Sequence, residues 1–232
     1  MMNIKVLYED NHIIAVVKPA GVLTQGDSSG EESLMDMVKR YLKKKYKKPG
    51  NVFLGLVHRL DKPVQGIVLF GKTSKGASRL SEQFRNHTIQ KTYHAIVQGK
   101  LAEQKGEIKE KVNKISFFAE GFTNKSDEEL LAEIKKATKT RTAELSWEVV
   151  RSNDKYSLLK IMPKTGRFHQ IRIQLSNMGH SILGDRKYGS KDSLPDKNIA
   201  LAATAISFKT ATENRQIDLS IPLPEEWGKY LP

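Results

Sequence analysis

Strand patterns and helix patterns follow one another irregularly along this chain, and this order constrains the fold more than any other feature. Residues 5–9 and 12–17 predict a hairpin around Asp10-Asn11. The uninterrupted apolar run 67–70 is typical of a strand that is buried on both faces. Because strands and helices do not alternate regularly, the sequence predicts an α+β fold with a mixed, mainly antiparallel central sheet and flanking helices.

The other predicted elements complete this picture. The remaining strands are predicted at 52–57, 92–97, 140–151, 156–161, 199–208 and 216–221. Helices are predicted at 34–46 with Ser33 as its cap, at 74–86 with Ser74 as its cap, and at 168–178. The lysine- and glutamate-rich stretch 105–138 predicts a hairpin and a helix. With no long linker and no internal repeat, we expect residues 1–232 to form one domain.

Several classes of protein are disfavoured by what the sequence lacks. It contains no cysteine and no apolar stretch near the ~20 residues of a membrane helix. Disulfides and thiolate chemistry are therefore excluded, and we expect a cytoplasmic protein with no membrane partner. The six histidines lack metal-ligand spacing, and no glycine-rich phosphate loop is present. We therefore expect no metal and no cofactor.

The charge of the chain is the first positive indication of function. Lysine and arginine number 39 against 26 aspartates and glutamates, a formal net charge of +13. Such a surplus is typical of a nucleic-acid partner, although solubility alone is the ordinary alternative. Over half of it lies in ten residues at the end of the predicted helix 34–46. The lysines that we expect to contact an RNA backbone are Lys43, Lys44, Lys45, Lys47 and Lys48.

Three segments, 56–63, 90–95 and 164–172, carry polar residues within apolar surroundings. Each also has an ordinary explanation: a turn, core packing around a tyrosine, and a capped helix. A carboxylate such as Asp61 in a dry pocket requires a compensating cation, and Arg172 is suited to pair with it. His169 lies three residues before Arg172 and shares its helix face. With the ring of Tyr93 as a stacking surface, the three segments suggest a site for a flipped-out nucleotide.

At these residues the sequence resembles the RluA-type family of RNA pseudouridine synthases. The string His58-Arg59-Leu60-Asp61, continued by Gly66 to Phe70, is similar to the catalytic signature of the family. Lys91-Thr92-Tyr93 resembles its second motif and 165–172 its third. The segments 8–21 and 184–189 match as well, so that the resemblance extends from about residue 5 to about 210.

The resemblance implies a role for each matching residue. Asp61 would be the nucleophile, Tyr93 the ring stacked on the target uracil, Arg172 the partner of Asp61, and Leu201 a pocket residue. Arg59 would help to open the RNA stack. The residues expected to bind substrate through their place in these motifs are His58, Arg167 and His169. The implied reaction converts a specific uridine of ribosomal or transfer RNA into pseudouridine, in a cleft across the sheet and without cofactor or metal.

Some points depart from the family or stay open. Gln65, Ser181 and Ala202 stand where serine, proline and histidine are usual in the family. Because the family pattern begins almost at Met1, we expect no separate N-terminal RNA-binding domain, and we expect a monomer. The target uridine is open, as is whether Asp61 attacks the ribose or the base.

Two other functions compete with this interpretation. A catalytically inactive RNA-binding protein would carry the same charge. A carboxylate hydrolase would require a second acid, for which Asp185 is the candidate, although its Gly-Asp-Arg setting is typical of a turn.

Overall fold

The computed structural model describes residues 4–112 and 141–231. Three α-helices in these ranges are α1 Leu34–Lys45, α2 Ser74–Arg85 and α3 Gln170–Asn177. The strands are β1 Lys5–Glu9, β2 Ile13–Lys18, β3 Gly55–Leu56, β4 Gln65–Gly71, β5 Gln90–Gln98, β6 Lys105–Val112, β7 Arg141–Ser152, β8 Tyr156–Pro163, β9 Leu201–Lys209 and β10 Gln216–Ser220.

The strands form one mixed sheet that is mainly antiparallel, which confirms the predicted fold class. Its order is β1-β2-β4-β9-β5-β8-β7-β6, with β3 beside β4 and β10 beside β9. The parallel pair is β4 with β9, and it joins Gln65 to Ala202 and Gly66 to Ala203. A Cβ on Gly66 would lie 2.3 Å from the carbonyl oxygen of Ala203, so only glycine allows this close approach.

Both faces of the central strands are buried, as the apolar run in β4 predicts. Ile67 and Leu69 pack with Leu80 of α2 on one face. Val68 and Phe70 belong to the larger core on the other face, together with residues of α1 and α3. Because successive strand residues point to opposite faces, a strand covered on both sides must be apolar at every position.

The lysine-rich helix α1 is fixed to the first strand through the carboxylate of Glu9. Tyr41, Lys45 and Tyr46 of the helix end and Lys72 after β4 all donate hydrogen bonds to Glu9, at 2.6–3.0 Å. Burial alone would raise the pKa of Glu9, but these hydrogen bonds lower it to about 2. The helix begins at a capping box of Ser33 and Asp36, as the sequence predicts for Ser33.

Three predicted boundaries are wrong. The cap of α2 is Thr73, not Ser74, because the hydroxyl of Thr73 accepts the amide of Gly76 at 3.1 Å. The strand predicted at 52–57 is hydrogen-bonded only over Gly55–Leu56. Helix α3 starts at Gln170 because His169 is left-handed. Of the predicted stretch 105–138, β6 is described and 113–138 lies outside the described residues.

Candidate functional site

Asp61 lies in the loop between β3 and β4, and a buried lysine fixes this loop. The ammonium of Lys18, at the end of β2, donates to the carbonyls of Pro19, Val22 and Lys62 at 2.9, 2.6 and 3.0 Å. Lys18 is fully buried, which lowers its pKa to about 7, while the charge of Asp61 opposes this shift. The lysine thus connects the backbone next to Asp61 to the end of a central strand.

Further hydrogen bonds hold the same loop in place. The hydroxyl of Thr24 donates to the carbonyl of Leu60 at 2.7 Å, and the amide of Leu60 donates back to it at 3.1 Å. The amide of Gly21 donates to the carbonyl of Lys62 at 2.8 Å. Asp61 is therefore flanked on both sides by residues bonded to the segment after β2, and its side chain is presented from a constrained backbone.

Arg172, in the first turn of α3, bridges two carboxylates. Its Nη1 lies 3.2 Å from Oδ2 of Asp61, so the predicted contact is present. Its closer partner is Asp185, whose two oxygens accept from Nε at 2.7 Å and from Nη2 at 2.8 Å. Asp185 is 1% exposed. The two-point pair of Arg172 is therefore made with Asp185, and Asp61 receives a single, longer contact.

The carboxylate of Asp61 is engaged at one oxygen. Oδ2 contacts Arg172 and also lies 3.2 Å from Nε2 of His169. Oδ1 accepts no hydrogen bond from the residues that the structure describes. Burial raises the pKa of Asp61, the charge of Arg172 lowers it, Asp185 raises it and Lys18 lowers it. The site thus offers a partly desolvated carboxylate with one oxygen available to a substrate.

His169 completes the contacts of Asp61. Burial lowers its pKa to about 3, and the charges of Arg172 and Lys187 act in the same direction, so the ring is neutral at pH 7. Its Nδ1 lies 2.8 Å from the hydroxyl of Tyr188. Nδ1 of a neutral ring can accept the hydroxyl of Tyr188, while the contact of Nε2 with Asp61 is a close approach of 3.2 Å.

Tyr93 and Leu201 lie on the adjacent strands β5 and β9. Burial raises the pKa of Tyr93, and the nearby negative charge of Asp61 raises it further, so the phenol stays protonated. Its hydroxyl makes no hydrogen bond to the described residues. Leu201 is buried and pairs in register with Ala95, two residues after Tyr93. The structure thus brings Asp61, His169, Arg172 and Tyr93 into one cluster, with Leu201 in the core beside it.

His58 makes different contacts, although it stands in the same string as Asp61. Its Nε2 accepts the amide of Leu69 in β4 at 2.9 Å, and its ring packs on Phe84 of α2, with 4.6 Å between centroids. Burial lowers its pKa to about 3, and the charge of Lys91 contributes. These contacts attach the loop to the sheet, and none of them is to Asp61.

The two other arginines expected to bind substrate lie towards solvent. Arg59 is exposed on the loop that carries Asp61. Arg167 donates from Nε to the carbonyl of Thr142 in β7 at 3.2 Å, which fixes it beside the third motif. Neither arginine makes an ion pair with the described residues.

The lysine cluster divides into two parts. Lys45 pairs with Glu9 and is therefore occupied within the fold. The lysines that are exposed and make no ion pair with the described residues are Lys43, Lys44, Lys47 and Lys48.

For three residues that surround Asp61, the sequence predicts no place beside it. Lys18 ends a strand buried on both faces, a position that could have indicated a buried ammonium. Asp185 was attributed to a turn. Tyr188, whose ring lies 4.8 Å from the guanidinium carbon of Arg172, belongs to a matching segment but carried no assigned role.

Two features are absent from the described ranges. No described helix is long and apolar enough to cross a membrane. The described residues contain no group of three or more histidines, aspartates or glutamates placed to bind a metal ion.

Comparison with known proteins identifies the family of this chain. Residues 12–177 match the family model described as RNA pseudouridylate synthase. The chain is 30% identical over 234 residues to a ribosomal large subunit pseudouridine synthase C from Buchnera aphidicola subsp. Acyrthosiphon pisum (strain APS), covering 98% of the chain and 69% of that protein. It is 31% identical over 237 residues to a tRNA pseudouridine synthase C from Haemophilus ducreyi (strain 35000HP / ATCC 700724), covering 97% and 93% respectively.

A solved structure supports the fold. Human RNA Pseudouridylate Synthase Domain Containing 4 superposes with a TM-score of 0.77 over 98% of this chain and 91% of that chain, at 21% identity.

Proposed function

We propose that this chain, which belongs to the RNA pseudouridylate synthase family, uses Asp61 as its nucleophile on a flipped-out uridine of ribosomal or transfer RNA. Family membership makes it an RNA pseudouridine synthase; the nucleophile and the class of RNA are the proposed part. The observation that carries the proposal is the carboxylate of Asp61, which is bound at Oδ2 and has Oδ1 available.

The proposed reaction conserves atoms and electrons. The bond between N1 of uracil and C1′ of ribose breaks, the base rotates, and a bond between C5 and C1′ forms. N1 gains a proton and C5 loses one, so the isomerisation itself requires neither oxidant nor reductant. Arg172 and Lys18 favour the ionised form of Asp61 against the effect of burial, which keeps a nucleophile available in a partly dry site.

The other residues of the cluster have supporting roles in this proposal. The ring of Tyr93 would stack on the target base, because an aromatic face binds any flat base when the base leaves the helix. Leu201 would pack against the same base from β9. Arg59 and Arg167 would contact the RNA at the rim. His58 is assigned to the support of the loop rather than to substrate, since its contacts are to Leu69 and Phe84.

The hydrolase alternative is disfavoured by the state of Asp185. A second acid must exchange protons with the substrate, whereas both oxygens of Asp185 are bound to Arg172 and the residue is 1% exposed. The inactive RNA-binding alternative is disfavoured by the cost of a partly buried carboxylate, which a protein that only binds RNA does not require.

Asp61→Asn tests the nucleophile. We expect it to abolish tritium release from RNA labelled at C5 of uridine, and to leave RNA affinity and folding near those of the parent protein. Asp192→Asn is the matched control, because Asp192 is exposed and receives hydrogen bonds only at the surface. Tritium release at the parental rate by Asp61→Asn would exclude Asp61 as the nucleophile.

The RNA target requires a separate experiment. Pseudouridine mapping of total RNA from cells with and without this gene should reveal a position in ribosomal or transfer RNA that depends on the chain. A dependent position outside both classes of RNA would contradict the proposed substrate.

We also propose that the exposed lysines Lys43, Lys44, Lys47 and Lys48 bind the RNA backbone. About three phosphate contacts to single-stranded RNA would weaken binding roughly twentyfold between about 50 and 200 mM salt. Replacing these four lysines by glutamine should flatten this dependence, whereas Lys45→Gln should leave it unchanged because Lys45 is paired with Glu9. An unchanged slope in the fourfold variant would remove this surface from the RNA path.

The single domain, the monomeric state and the cytoplasmic location stay predictions of the sequence. Light scattering of the purified chain measures its oligomeric state directly.

A further inference from the structure

Lys91, in the second motif, is a partly buried lysine to which the proposed reaction assigns no role. Two other lysines with little exposure have acceptors: Lys18 donates to three carbonyls, and Lys72 donates to Glu9 and to the carbonyl of Asp10. Lys91 makes no hydrogen bond and no ion pair with the residues that the structure describes. Burial lowers its pKa, and an ammonium in such a place is unfavourable unless an acceptor compensates it.

The ammonium of Lys91 lies between the loop that carries Asp61 and the loop of the third motif. On one side its charge lowers the pKa of His58, which stands three residues before Asp61. On the other side a Cβ on Gly166 would lie 3.7 Å from its Nζ, the distance of an ordinary contact. Lys91 therefore occupies the place where the first and the third motif approach each other.

Lys91 and Tyr93 lie on the same face of β5. Residues two apart along a strand share a face, and their Cα atoms are about 7 Å apart. The pairing of β5 with β9 is irregular between Thr92 and Tyr93, but the extra residue is Thr204 of β9, so β5 itself keeps its alternation. The unpartnered ammonium is thus next to the ring on which the target base would stack.

Gly166 offers a second donor beside this ammonium. It is exposed, and its amide donates no hydrogen bond to the described residues. The segment around it is fixed, because Oε1 of Gln170 accepts the hydroxyl of Thr165 at 2.7 Å and the amide of Arg167 at 3.0 Å. Lysine ammonium groups and backbone amides are the donors that proteins present to the phosphates of nucleic acids.

We propose that Lys91 binds a backbone phosphate next to the target uridine, with the amide of Gly166 as a second donor. This inference rests on the proposed function, since it requires that the target base is bound at Tyr93. A base bound there brings its flanking phosphates to the same face of β5. The RNA then supplies the anion that the ammonium lacks in the free protein, and the contact positions the nucleotide without reading its base.

The test measures the affinity of an RNA fragment that carries the uridine found by pseudouridine mapping. The fragment is made with its normal phosphates, and with a neutral methylphosphonate in place of the phosphate on the 5′ or on the 3′ side of that uridine. One of the two replacements should weaken binding by the parent protein roughly tenfold, as expected for a hydrogen bond to a charged group. Lys91→Met should bind the normal fragment roughly tenfold more weakly and should be insensitive to that replacement, whereas Lys91→Arg should keep most of the affinity.

A lysine on the neighbouring strand provides the matched control. Lys160 of β8 is the register partner of His94, so it lies on the opposite face of the sheet, and its charge is paired with Glu148. Lys160→Met should bind both fragments as the parent protein does. Lys91→Met should also reduce the salt dependence of binding by about 0.7 in the slope of log affinity against log salt concentration. It should not lower the Tm, because an ammonium without a partner does not stabilise the fold.

The kinetic form of the change separates this role from an effect on Asp61. Lys91→Met should raise KM for tritium release and change kcat little. Parental affinity in Lys91→Met would overturn the proposal, and so would a loss of kcat at unaltered affinity or full sensitivity of this variant to both methylphosphonates. The affinities can be measured with Asp61→Asn as the parent, so a failure of the proposed nucleophile appears in tritium release and a failure of this phosphate site in binding.

Discussion

Arg172 binds two carboxylates, and the structure predicts that they contribute unequally to stability. Asp185 is 1% exposed and makes two contacts of 2.7 and 2.8 Å, whereas the side chain of Asp61 is 27% exposed and makes one contact of 3.2 Å. Removing one partner of a buried pair costs about 3–5 kcal/mol because the other charge stays buried. In Asp185→Asn the nearby Asp61 compensates in part, so we expect a loss of about 3 kcal/mol.

The same geometry predicts a different result for Asp61→Asn. Arg172 keeps its two-point pair with Asp185 in this variant. The burial that raises the pKa of Asp61 also shows that its charge is unfavourable in the folded state. Asp61→Asn should therefore leave the free energy of unfolding unchanged or increase it slightly.

Urea unfolding of the two isosteric variants measures both values. For a chain of 232 residues, about 3 kcal/mol corresponds to a Tm roughly 6–12 °C lower for Asp185→Asn. Asp192→Asn, at an exposed site of the same segment, should stay close to the parent protein. The reasoning is refuted if Asp61→Asn loses as much stability as Asp185→Asn.

The charges of Asp61, Lys18 and Glu9 lead to three further tests. Burial raises the pKa of Asp61, so the rate of tritium release should fall, as the pH is lowered, at a higher pH than an ordinary aspartate would give. Asp185→Asn removes a neighbouring negative charge and should therefore move this fall to lower pH. An unchanged acid limb would contradict the coupling between the two carboxylates. Lys18→Met should lower the free energy of unfolding by about 3 kcal/mol, because three carbonyls lose their hydrogen-bond donor. It should also speed amide hydrogen exchange in the loop that carries Asp61. Protection equal to that of the parent protein would disprove the claim that Lys18 fixes this loop. The pKa of Glu9 is lowered from 4.5 to about 2, so its ionised carboxylate stabilises the fold above pH 4.5, and this stabilisation is lost as the pH falls towards about 2. The unfolding free energies of Glu9→Gln and the parent protein should therefore converge as the pH is lowered across this interval. A difference that stays constant with pH would exclude the ion pairs of Glu9 as the source of the stabilisation.

Features set by neighbouring residues could be predicted from the sequence. The first hairpin, the buried strand β4 and the Ser33 cap depend on alternation, apolar runs and local hydrogen bonds, and all three are present. The start of α3 could not be predicted, because periodicity continues through Phe168 and the left-handed conformation of His169 depends on contacts from other elements.

The partner of Arg172 could not be predicted for a related reason. A Gly-Asp-Arg string is typical of an exposed turn, and only the packing of that turn against α3 buries Asp185. Closeness to Asp61 in the sequence does not fix what a side chain contacts. His58 stands three residues before it, but its side chain contacts the sheet and α2.

Two of the residues that depart from the family pattern are neighbours in space. Gln65 and Ala202 are register partners in the parallel pair of β4 and β9, so a larger side chain on one strand faces a smaller one on the other. The third, Ser181, donates from its hydroxyl to the carbonyl of Tyr188 at 2.6 Å, close to the contacts of Arg172.

The charges around Asp61 indicate why a second carboxylate is useful in the proposed reaction. Arg172 contacts both Asp61 and Asp185, and His169 is neutral, so one guanidinium serves two carboxylates before substrate binds. If Asp61 bonds to C1′ of the ribose, the bond between C1′ and N1 breaks and the negative charge of Asp61 passes to the detached uracil. The guanidinium of Arg172, fixed by Asp185 and not by Asp61 alone, then stays in place and attracts the anionic base while it rotates. An arginine held only by the nucleophile would lose its partner at that step.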